Sequence, residues 1–289
     1  MLAPLLVVGS SLAGRRWGAR VAGMLVAFPI VAGPILLISC LQHGARFGAR
    51  AATASLLGLV SLAVFAVVFA YAGRRRPWPL TLALAWTASL LTDLLLAQLT
   101  LGAAAAALLV LATVWVAYRL IATLDDEPAD TGAVSAPWWD LPGRAIATAA
   151  LVLAVTGISA QVGPVVTGIL APFPIATSVV AAFVLAQQGA PAATRTLAGV
   201  TRGLTGFAAF CLLLALLLVP LGIPGAFATA IAGALAVQLG WTAWAAHRRP
   251  APRSPGPFHG RAAGRPRRPG RPPAEPRSAP AIPRRERCG

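Results

Sequence analysis

One carboxylate stands inside an otherwise uncharged apolar run: Asp93, in the stretch 79–98. A carboxyl at membrane depth is costly to hold, so by default it marks a site that binds or moves something, most simply a proton coupled to a solute. A second set of residues acts through the backbone. The segment GMLVAFPI at 23–30 returns as GILAPFPI at 168–175, each with a glycine, an apolar stretch and Phe-Pro-Ile. Proline removes a helix donor and frees a carbonyl four residues earlier, at about 3 kcal/mol in a helix interior. In lipid, such freed groups are tolerated only where protein or a wet cavity satisfies them. Gly23, Phe28 and Pro29, with Gly168, Phe173 and Pro174, are therefore candidates for a solute path. The glutamines that follow each motif, Gln42 and Gln187, join them, although helix-end anchoring competes as their role. Kinks made for packing alone are the competing account of the prolines. For Asp93, toward the end of its run, the competing account is contact with interfacial water.

Catalytic signatures are missing. The chain has no His-Glu-x-x-His, no Gly-x-Ser-x-Gly and no phosphate loop. Asp93 has no second carboxylate within a span, and His43 is the sole histidine before His247. Cys40, Cys211 and Cys288 show no metal-ligand spacing. The chain is not read as an enzyme, and no cofactor or metal is assigned to it.

The elements that must position these residues follow from composition. Apolar residues make up 57% of the chain and charged ones 11%, which points to a bilayer rather than to water as solvent for the body. Runs near the ~20 residues needed to cross a bilayer lie at 21–41, 51–72, 79–98, 102–122, 144–161, 165–186, 197–219 and 224–246. The shorter stretch Leu2–Gly14, followed by Arg15, Arg16 and Arg20, makes a ninth. All 24 basic residues are arginine, and 12 of them fall within 247–289 against two glutamates, in a Pro/Arg/Gly-rich tail expected to be disordered. The tail is a candidate contact for anionic lipid or nucleic acid. The remaining arginines cluster in alternate loops, which the positive-inside rule reads as an external N-terminus and a cytoplasmic C-terminus.

A shift of 145 residues aligns 18–90 with 163–235 without a gap, giving 20 identities in 73 positions. These include Phe-Pro-Ile, Gln-x-Gly-Ala, Gly58 with Gly203 and Phe65 with Phe210; Asp93 falls opposite Gln238. The expected organisation is all-α: a membrane repeat over 1–100, a connector span and acidic loop over 101–142, a second repeat over 143–246 and the tail over 247–289. Five spans precede the second four-helix unit, so the two units should be inverted in the membrane. Paired Gly/Pro-broken helices in inverted repeats are the sequence pattern of a transport site near the bilayer midplane. The shift also pairs Arg144 with the position before Met1, so a native start slightly upstream is expected.

Gly-x-Leu-x-x-Phe-Pro-Ile, then Gln-x-Gly-Ala and an arginine-bearing helix start, resembles the GlpM-like group of small bacterial inner-membrane proteins. The likeness is clearest over 163–215 and fainter over 18–70. It implies a bacterial inner-membrane location and says little about substrate. The inverted doubling is similar in plan to drug and metabolite exporters, at the level of fold alone. The expected function is secondary transport or export of a small solute. The alternative is a non-transporting membrane protein that assembles or regulates a partner.

Overall fold

The structure, a computed structural model, describes residues 2–17, 21, 25, 32–124, 139–162 and 174–247. The chain divides into two units, 1–247 and 248–289, and every described residue belongs to the first. Among the described residues there is no strand. Seven helices follow one another: α1 (Leu2–Trp17), α2 (Ala32–His43), α3 (Ala45–Ala72), α4 (Trp78–Leu96), α5 (Ala103–Ala122), α6 (Asp140–Val162) and α7 (Ile175–His247).

Helix α7 is a run of helices that abut one another without a loop. Gly189 (φ 81, ψ 179) and Gly222 (φ 68, ψ 176) interrupt it, dividing it into α7a (175–188), α7b (190–221) and α7c (223–247). Gly44 (φ 85, ψ 170) separates α2 from α3 in the same way. This region of backbone space is open essentially to glycine alone. Gly44 and Gly189 each sit in Gln-x-Gly-Ala, 145 residues apart, so the same backbone break recurs at the shift at which the sequence repeats.

The breaks correct the expected element boundaries. The next helix starts one residue after the glycine, at Ala45 and at residue 190, rather than at 51 and 197. Arg46, Arg50 and Arg195 therefore lie in helical turns and not in loops. Apart from Pro220, in the last turn of α7b, prolines of these regions mark helix starts, where a missing donor costs nothing. Pro79 is in the first turn of α4, Pro191 in that of α7b and Pro224 in that of α7c.

Among the described residues, four segments are long and apolar enough to cross a membrane: α3, α4, α5 and the stretch Ile175–Trp241. The last is 67 residues, or about 100 Å of helix at 1.5 Å per residue, more than three times a hydrocarbon core of ~30 Å. The coarse reading of the chain as an integral membrane protein stands. Large apolar side chains such as Leu94, Leu95, Leu108, Leu153 and Leu239 are exposed around the helices, which suits a surface facing lipid.

At the centre, α3 packs most extensively on α7. Phe65, Phe69 and Leu56 of α3 and Phe210, Leu204 and Leu214 of α7b are fully buried. Small residues let the two backbones approach, Ala52, Gly58, Ala63 and Ala66 on α3 and Ala198 and Ala208 on α7b among them. In lipid, close packing of this kind is the main source of helix association. The two helices run antiparallel. A Cβ at Gly48, near the start of α3, would press on Cys40 and come within 3.1 Å of Leu218 at the far end of α7b. A Cβ at Gly73, just past the end of α3, would come within 3.1 Å of Leu185, just before α7b begins.

Candidate functional site

The face of α4 that meets α3 is polar at its C-terminal half. Thr81, Ala85, Ser89 and Asp93 recur every four residues, and these four are the buried residues of the helix. Asp93 is 6% exposed, and its carboxyl lies beside the Ser61 hydroxyl of α3. Ser61 is fully buried, and its Oγ donates to the carbonyl oxygen of Gly58 at 2.9 Å. Asp93 Oδ2 and Ser89 Oγ, one turn apart on the same helix face, are buried without a partner. Buried polar atoms almost always find partners. Two unpartnered ones on one face are a place for a proton, a water or a solute polar group.

The corresponding residues 145 positions on build a matching contact between α7b and α7c. Gln238 stands where Asp93 stands, and its Nε2 donates to the carbonyl oxygen of Gly203, the counterpart of Gly58, at 3.1 Å. Gly206 replaces Ser61, and a Cβ there would lie 2.8 Å from Gln238 Nε2 and 2.9 Å from its Cγ. The longer amide thus fills the space that the serine hydroxyl and the shorter carboxyl share in the first half. Gln238 Oε1 is buried and unpartnered, like Asp93 Oδ2. The two aligned positions therefore each hold a buried polar side chain with one unpartnered oxygen, titratable at Asp93 and not at Gln238.

A third polar cluster closes α6 onto α7a. Arg144 Nε donates to Asp140 Oδ1 at 2.9 Å, and Gln187 Nε2 donates to the same oxygen at 2.8 Å. The guanidinium also lies 5.3 Å over the Phe183 ring. Arg144 and Asp140 are 3% and 1% exposed. Arg144 is thus not the free loop arginine that the orientation argument takes it for, because its charge is matched by the carboxylate one turn earlier.

Gly23, Phe28, Pro29, Gly168 and Phe173 lie outside the described residues. Pro174 is described: it is buried and precedes α7a, its carbonyl accepting from Ser178 N at 2.8 Å. It stands at the start of α7a, and the residues before it, 163–173, lie outside the described residues. Gln42 is exposed, and it follows Cys40 at the Gly48 end of α3, whereas Gln187 follows Leu185 at the Gly73 end. Those ends are about 37 Å apart along α3, so the two glutamines do not share a site.

Ser61, Ser89 and Arg202 are absent from the expected site residues. The spacing carried a signal for the first: 58 to 93 and 203 to 238 are the same 35 residues, with a small residue three positions after each glycine. Arg202 donates Nη2 to Tyr118 Oη of α5 at 2.7 Å and lies 4.9 Å over that ring. Among the described residues no group of three or more His, Cys, Asp or Glu side chains could hold a metal ion. No family model, no curated protein and no solved structure matches the chain.

Proposed function

We propose that this chain is a multi-pass protein of the bacterial cytoplasmic membrane that carries a small solute across it, with Asp93 as the group that takes up and releases a coupled proton. The observation that carries this reading is the matched pair of polar contacts, Asp93 with Ser61 and Gln238 with Gly203, of which only one can titrate. Ser61 has a single hydroxyl hydrogen. Directed at Gly58 O it leaves a lone pair for a protonated carboxyl; turned to Asp93 it serves the carboxylate. The contact of α4 on α3 can therefore respond to one proton while that of α7c on α7b stays fixed.

The proposal includes nine crossings in two inverted units, with the N-terminus outside and the C-terminus in the cytoplasm. The antiparallel run of the corresponding helices α3 and α7b supports the inversion, as does the glycine break repeated at the same shift. The orientation is supported by charge. Tyr71 Oη donates to Leu120 O, which joins the ends of α3 and α5. Arg74, Arg75, Arg76 and Arg119 gather at that end, against Arg46 and Arg50 at the other. The resemblance to GlpM-like proteins agrees with the inner membrane and supplies no substrate.

The test is untargeted mass spectrometry of the small solutes inside and outside cells that express the wild-type chain, Asp93→Asn or neither. A solute whose distribution shifts with the wild type and not with Asp93→Asn is the expected result. Equal distributions in all three would refute transport and favour the assembly of a partner protein.

A further inference from the structure

A cavity of about 460 Å³ lies between α5, α7b and α7c. Its lining is apolar and aromatic, with Trp115 and Tyr118 from α5, Thr205 and Arg202 from α7b, and Val237 and Trp241 from α7c among its walls. Arg202 is the one charged residue among those lining it. The volume is that of a pocket for a small organic molecule, and a mostly apolar lining with a few polar groups is how such pockets are built.

The arginine is the unusual part. A guanidinium keeps its charge in any protein environment, so it cannot relieve burial by losing a proton. Among the described residues Arg202 forms no ion pair, and its one polar side-chain partner is Tyr118 Oη. Its Nε is buried and has no hydrogen-bond partner at all. The Tyr118 ring under the guanidinium offsets part of the charge by a cation–π contact. What is left is a forked donor with an unused N–H, the group best shaped to take two oxygens of a carboxylate. Around it, the Tyr118 and Trp241 rings stand with centroids 6.3 Å apart and tilted by 55°, and Trp115 is one turn from Tyr118 on the same helix. Aromatic walls of this kind hold a flat ring by offset or edge contacts.

We infer that this cavity binds an aromatic monocarboxylate of small-molecule size, its carboxylate on Arg202 and its ring among Trp115, Tyr118 and Trp241. The position corresponding to Arg202 in the first half is Leu57, so the site belongs to one half only. The inference is one of binding. It does not rest on transport, and a chain that carries nothing across the membrane would show it equally.

The experiment is calorimetric titration of the full-length protein in detergent with naphthalene-2-carboxylate, and with the neutral naphthalene-2-methanol as its match in shape. Tighter binding of the carboxylate by at least tenfold is expected, and Arg202→Gln should bring the two ligands to equal affinity. A second variant, Ala209→Leu, fills the cavity without replacing the guanidinium and should abolish binding of both. Unfolding midpoints of each variant separate lost binding from lost structure. Equal affinity of the two ligands for the wild type would overturn the inference, as would carboxylate binding unchanged by both substitutions. Mass spectrometry of the purified protein tests the other source of an oxyanion. A phospholipid retained by the wild type and lost in Arg202→Gln would overturn the small-carboxylate assignment in favour of a lipid headgroup.

Discussion

The correspondence between the two polar contacts is open to a double-mutant cycle at Gly206 and Gln238. Gly206→Ala puts a methyl 2.8 Å from Gln238 Nε2 and 2.9 Å from Cγ. Because Cγ is crowded as well as the amide, swinging the terminus aside does not relieve the contact, and the whole side chain must leave Gly203 O. Overpacking of this kind costs about 1–3 kcal/mol, while alanine recovers about 1 kcal/mol over glycine in helix propensity. The net expectation is a loss of about 1 kcal/mol. Gln238→Ala alone gives up the hydrogen bond to Gly203 O, about 0.6 kcal/mol between membrane helices, with some lost packing. In that background the methyl at 206 meets open space, so Gly206→Ala should stabilise by about 1 kcal/mol. The sign reverses, and the coupling is about 2 kcal/mol, within the range for residues in contact. Reversible unfolding of the purified protein in mixed micelles of mild detergent and dodecyl sulfate reads all four corners. An equal effect of Gly206→Ala in both backgrounds would refute the reasoning: Gln238 would then not occupy the space over Gly206, and its equivalence to Asp93 would fall.

Three further predictions concern topology, the glycine breaks and the buried ion pair. His43 and Gln188 are exposed and correspond at the 145-residue shift, so cysteines placed there in a cysteine-free chain should label from opposite sides of intact cells; labelling from one side would refute the inversion. Gly44→Ala and Gly189→Ala force a side chain into backbone space reserved for glycine, and each should lower stability by about 1–3 kcal/mol, read by thermal unfolding in detergent. Asp140→Asn removes the carboxylate oxygen that Arg144 and Gln187 share and should cost about 1.5–3 kcal/mol, the range for hydrogen bonds to a charged group. Replacing both residues with leucine should cost less in the same assay.

The sequence alone showed the apolar character of the helices and the 145-residue correspondence from which the repeat is proposed. A bilayer demands long uncharged runs because unpaired backbone groups and charges are costly in hydrocarbon, so the spans stand out in composition without any knowledge of their partners. Duplication is legible for a similar reason, since Phe65 and Phe210, or Gly58 and Gly203, are one residue type at one shift. Asp93 was visible as a lone acid in an apolar run. Its partners were not, because a serine at 61 looks like any small residue of a membrane helix until α4 is laid against α3.

The tertiary structure decided where helices end, which charges are paired and where the second site lies. A single glycine of positive φ turns the chain into a new helix within one residue, whereas arginines at 46, 50 and 195 suggest a longer loop. Asp140 and Arg144 are an ordinary i, i+4 pair in sequence, and only burial against Gln187 and Phe183 makes them a neutral plug. Arg202 and Tyr118 are 84 residues apart, on helices with no common pattern. Spacing along a chain reports which residues share a helix face, but which faces meet is set by packing, and the cavity around Arg202 exists only once α5, α7b and α7c have met.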